Sequence, residues 1–131
     1  MLPTTAQRVP EHTAAEINER IRRQTEENVA RYAAAGAEAI EQRLRELDQE
    51  WDIERTLEAN AATVSLLGLG LGALADRRFF LLPAAVAGFL LQHALQGWCP
   101  PVPILRRLGF RTRLEIEDEC RELAAMLPGA L

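Results

Sequence analysis

Residues 59–98 read ANAATVSLLGLGLGALA, DRR, FFLLPAAVAGFLLQHALQGW: 17 residues without a charge, three charged ones, and 20 more without a charge. As helices the two apolar runs would be about 25 and 30 Å long at about 1.5 Å per residue. The hydrocarbon core of a bilayer is about 30 Å thick. In the first run Val64, Leu66, Leu67, Leu69, Leu71 and Leu74 together favour insertion by about 2–4 kcal/mol. Asn60, Thr63, Ser65 and three glycines oppose it, so this run is marginal alone. The second is strongly apolar, and Asp76-Arg77-Arg78 is a polar turn between them. The pattern predicts a transmembrane helical hairpin over 59–98, with spans 59–75 and 79–98 and a turn at 76–78. A soluble bundle with both central helices buried all round is the competing fold. Only 131 residues are available to cover that surface, and those outside it are strongly charged.

Toward the N-terminus the composition changes sharply. Residues 11–58 carry 13 acidic and 7 basic side chains, whereas residues 59–105 carry only Asp76, Arg77 and Arg78. The average hides this: a mean hydropathy of −0.10 would not mark a membrane protein. Thr13-Ala14-Ala15-Glu16 has the form of a capping box. From there to Glu58 there is no proline and one glycine, Gly36, among strong helix formers. Glu16–Arg20, Glu27–Arg31 and Glu41–Arg45 have the spacing of supporting ion pairs. The expectation is a loose tail at 1–12 and a long charged amphipathic helix at 13–58. Ile40, Leu44, Leu47 and Trp51 step by 4, 3 and 4 residues, an a/d-like stripe suited to a partner helix.

Toward the C-terminus, residues 99–131 read as a proline turn, an interfacial basic segment and a short amphipathic helix. Pro100, Pro101 and Pro103 cannot continue a helix and favour an extended path. Trp98, Pro100, Pro101, Arg106 and Arg107 mark the expected membrane exit, with guanidinium groups reaching toward headgroups. Thr112-Arg113-Leu114-Glu115 is a second capping box. It opens a helix with Ile116, Cys120, Leu123 and Leu127 on one face, closed by Pro128-Gly129. The fold class is therefore all-α: a two-helix hairpin preceded by a long charged helix and followed by a short one.

Gly97-Trp98-Cys99-Pro100, the Gly68/Gly70/Gly72 run, Glu54-Arg55 before the first span and the short polar turn resemble the YgaP-like transmembrane domain family. LRRLGFRTRLEIEDE (105–119) looks like the tail of its stand-alone bacterial members. The resemblance covers roughly residues 54–120 and implies a membrane hairpin, often dimeric and sometimes fused to a rhodanese sulfurtransferase domain. This chain has no room for that domain, so sulfurtransferase activity does not carry over. Residues 14–53 have no counterpart in the pattern.

The chemistry-bearing residues are few. Cys99 is a possible reactive thiol at the membrane exit, its thiolate favoured by Arg106 and Arg107; the plainer expectation is packing where the chain turns. Cys120 falls on an apolar helix face. His93 is an ionisable group within a span, with Asn60 at the opposite helix end as its expected partner. Gly68 and Gly72, with Ala84 and Gly88, have the small-residue spacing of close helix contact, within the hairpin or between copies. No nucleotide-binding, metalloprotease or serine-nucleophile motif occurs, and no catalytic residue, cofactor or metal is expected. The net charge of −4 and the acidic N-terminal half argue against nucleic acid. The expected partners are a lipid bilayer and another protein or a second copy, as in a dimer, with no small-molecule substrate. The expectation is therefore a membrane anchor and interaction subunit in the bacterial inner membrane. Seven arginines flank the outer span ends (Arg43, Arg45, Arg55, Arg106, Arg107, Arg111, Arg113) against Arg77 and Arg78 in the turn, which predicts both termini cytoplasmic. A thiol-based accessory of a sulfur-transfer or redox system, using Cys99, is the second functional class.

Overall fold

The computed structural model describes residues 3–127; the expected stop at Pro128-Gly129 lies outside them. It is all-helical, with no strand among the described residues, and two of its helices are long and apolar enough to cross a membrane. Among the described residues seven helices follow one another: α1 (Arg8–Glu11), α2 (Ala15–Ala35), α3 (Ala37–Gln49), α4 (Ile53–Leu74), α5 (Leu81–Gln96), α6 (Pro101–Arg107) and α7 (Arg113–Ala125). A 3-10 turn at Arg77–Phe80 joins α4 to α5.

The stretch expected as one charged helix is three pieces. Gly36, at φ 104°, ends α2 and starts α3, a conformation that side-chain-bearing residues rarely adopt. The chain breaks again at residues 50–52, where the Asp52 carboxylate accepts the Arg55 amide at 2.7 Å and opens α4. The reason for the first break is burial. Folding α3 back on α2 lets Ile40 and Leu47 join Val29, and α7 adds Ile116 and Leu123 to the same cluster. The supposed partner stripe is thus mostly internal: Ile40 and Leu47 are buried and Leu44 packs against their cluster, while Trp51 stays 44 % exposed. None of the three expected i, i+4 ion pairs forms among the described residues; Arg22 instead bridges Glu19 and Glu26.

The expected loose tail is also ordered in its described part. Val9 of α1 is buried with Ile53, Leu57, Cys99, Val102 and Leu105 in a second cluster at the base of the hairpin. The Thr13 capping box does not form: α2 starts after Ala14, and the Thr13 hydroxyl donates to the Val9 carbonyl at 2.8 Å. The Thr112 box does form, with both reciprocal hydrogen bonds.

Nor is the proline segment extended. α5 ends at Gly97 in the left-handed conformation, as expected of a helix stop, but Pro101 then opens α6. A proline is harmless in a first turn, where its missing N–H would have no helical partner. α6 carries Arg106 inward. Its guanidinium is fully buried and donates to both Glu115 carboxylate oxygens at 2.6 and 3.1 Å, to Asn18 at 2.9 Å and to Thr13 at 3.2 Å. The expected headgroup role therefore fails for Arg106; Arg111 is likewise buried, pairing with Glu50 and Glu119. Arg107 remains outside.

Beyond the base of the hairpin, α4 packs on α5 and on the 3-10 turn. A β-carbon on Gly68 would lie 2.6 Å from Pro83 Cδ, and one on Gly72 would lie 2.6 Å from the Phe80 ring. Both glycines are buried against the turn and the start of α5. Ala84 and Gly88 are not part of that contact: both are exposed, and nothing approaches a Gly88 β-carbon within 4 Å.

Candidate functional site around Cys99

Where α4, α5 and the start of α6 meet, four residues from distant parts of the chain come together. Glu54 sits in the first turn of α4 and His93 in the last turn of α5, so the antiparallel hairpin brings them face to face. His93 Nε2 lies 2.8 Å from Glu54 Oε2, and Arg8 of α1 donates to the other oxygen at 2.9 Å. Asn60, the expected partner of His93, instead lines a neighbouring groove.

A carboxylate held by arginine only accepts hydrogen bonds, so in the neutral imidazole the Nε2 atom carries the proton and Nδ1 has the lone pair. His93 is 3 % exposed and its Nδ1 has no nitrogen or oxygen partner. The Cys99 thiol lies beside this ring, itself 3 % exposed. Two loop features hold it there. Gly97 passes so close to the Arg8 backbone that a β-carbon would come within 2.3 Å of the Arg8 carbonyl oxygen. Val102 donates its amide to the Cys99 carbonyl at 3.0 Å. Arg106, expected to act on Cys99, faces Glu115 instead, so the group beside the thiol is an imidazole rather than a guanidinium.

Cys99 also forms part of the wall of a groove of about 260 Å³ between α4 and α5. Leu57, Ala61, Val64, Val86 and Phe89 make half of the lining, and Asn60 and Cys99 are its polar members. Trp98, Pro100 and Pro101 stand exposed at this end of the hairpin, where the exit was expected. Cys120 packs against the α2/α3/α7 cluster, and burial raises its pKa, the behaviour of an inert thiol.

Sequence reasoning located Cys99 and His93 but not Glu54 or Arg8 as their companions. The spacing carries one usable signal: Glu54 and His93 flank the two apolar runs, and closure of a hairpin must bring such flanks together. No group of three or more metal-ligating side chains occurs among the described residues. No protein-family model, curated protein or solved structure matches the chain.

Proposed function

We propose that the chain is a small membrane-anchored interaction protein: α4 and α5 lie in a bilayer, and the α2/α3/α7 head binds another protein, without catalysis of its own. The observation that carries this reading is apolar surface that nothing among the described residues covers. Leu66 is 69 % exposed and Leu74 91 %, with Leu67, Leu81 and Leu91 similarly bare. Soluble monomers rarely leave more than a few hundred Å² of contiguous apolar surface open. A soluble bundle would need the head helices to wrap the hairpin, yet these pack on one another through Ile40, Leu47, Ile116 and Leu123.

Since most of the stripe is internal, the head meets a partner through its charged outer faces and the half-exposed Trp51. A second copy is the partner suggested by α5, where Ala84 and Gly88 form a bare small-residue strip one helical turn apart. The proposal places the chain in an inner membrane with both termini cytoplasmic, the arginine distribution being the observation that supports this orientation.

Fractionation tests the anchor directly. The chain is expected to stay in the membrane pellet through a carbonate wash, and release into the soluble phase would overturn the reading. A second reading, a thiol accessory of a sulfur-transfer or redox enzyme, is favoured by the His93 imidazole beside Cys99. Cys99→Ser separates the two: a binding protein keeps its partner in a mild-detergent pull-down and its cellular function, whereas a thiol carrier loses the function.

A further inference from the structure

We propose that Cys99 is a site of S-acylation: its thiol takes a long-chain fatty acyl group from an acyl thioester, and the chain lies in the groove between α4 and α5. Three independent features converge on it. The first is a base facing the thiol, since Glu54 occupies His93 Nε2 while the buried Nδ1 meets no nitrogen or oxygen and the Cys99 thiol lies beside the ring. A buried lone pair without a partner is costly, and the Cys99 thiol beside the ring is the group that can offer it a proton. The second is the groove's chemistry. Leu57, Val64, Val86 and Phe89 offer hydrocarbon contacts, with no cationic side chain to hold a polar ligand. The third is position. Cys99 follows the last turn of the second apolar helix, the juxtamembrane placement at which thioester-linked acyl chains occur.

The groove runs along the apolar helices, so an alkyl chain inside it continues onto the surface that bilayer lipids cover. This last point rests on the membrane reading above. The chemistry balances without any redox partner. The Cys99 S–H proton passes to His93 Nδ1, and the thiolate attacks the acyl carbonyl carbon. A new C–S bond forms as the donor's C–S bond breaks, and the departing donor thiolate takes the proton back from the imidazolium. Glu54 and Arg8 are positioning residues, fixing the ring so that Nδ1 is the free nitrogen.

The experiment uses the purified full-length chain in mild detergent, incubated with palmitoyl-coenzyme A and followed by intact mass. One acyl group is expected, removed by neutral hydroxylamine and mapped to Cys99. It should be absent in Cys99→Ser and retained in Cys120→Ser. General-base assistance contributes about 10²–10⁴-fold, so His93→Gln, checked for native helicity, should slow acylation at least about tenfold and flatten its pH dependence. Val86→Phe, which fills the groove, should slow transfer from palmitoyl- but not acetyl-coenzyme A. Equal labelling of Cys120, an unchanged rate in folded His93→Gln, or a folded wild type that takes no acyl group would overturn the proposal. Because the assay needs no membrane, its failure is separable from a failure of the carbonate-wash test.

Discussion

Arg106 is a fully buried cation whose charge is met mainly by Glu115. Removing one member of such a pair leaves the other uncompensated, which costs about 3–5 kcal/mol. Glu115→Ala should therefore lower the unfolding free energy by about that much in thermal or chemical denaturation, and a loss below about 1 kcal/mol would count against the assigned network. Titration gives a second check. Burial works to raise the Glu115 pKa, but the Arg106 hydrogen bond, the Thr112 amide and the Arg106 charge outweigh it, and the net shift is downward. A carboxyl whose folded pKa is depressed stabilises the fold above its unfolded value, about 4.3 for Glu. That contribution disappears as pH falls below this value and through the lower folded pKa. Wild type should lose stability in that acid window, and Glu115→Gln should be less stable at neutral pH with a flatter acid profile.

Among the elements, α4 and α5 divide their small residues between two tasks, and substitution separates them. Leucine at Gly68 must displace the rigid Pro83 ring, so Gly68→Leu should cost about 1–3 kcal/mol of folded hairpin in detergent. Gly72→Leu meets the Phe80 ring, which can swing, and should cost less. Gly88→Leu meets nothing in its own chain and should leave monomer stability within about 0.5 kcal/mol. If α5 pairs with a second copy, Gly88→Leu abolishes the cross-linked dimer while the hairpin still folds; dimer yield equal to wild type would remove α5 as the interface. In the head, Leu47→Ala should cost about 2–5 kcal/mol, because Leu47 closes the contact of α3 with α2 and α7. A stripe left free for a partner would show no such loss.

For the whole molecule, the hairpin and head are joined at a few named points: the Arg8–Glu54–His93 chain, the Arg106 node and the Ile53 amide donating to the Arg111 carbonyl at 2.8 Å. Topology follows from charge. With seven arginines flanking the outer span ends and two in the turn, the head is expected in the cytoplasm. Protease added to right-side-out spheroplasts should spare it until lysis. Cleavage in intact spheroplasts would reverse the orientation.

The two apolar runs, their polar turn and the α7 capping box were legible in the sequence because each depends on neighbours a few residues away; the stop at Gly97, one residue inside the expected span 79–98, was not. Charge-free length and a reciprocal Thr–Glu bond are local facts. The tertiary structure alone decided the rest. Whether Arg106 faces headgroups or the interior depends on Glu115, Asn18 and Thr13, the last two more than 85 residues away in the chain. Whether Ile40 and Leu47 await a partner depends on α7 arriving from the other side of the hairpin. Glu54 reaches His93 only once α4 and α5 have closed. Apolar periodicity records that a face must be covered but carries no address for what covers it. A buried charge likewise finds its counter-charge through folding, not through spacing.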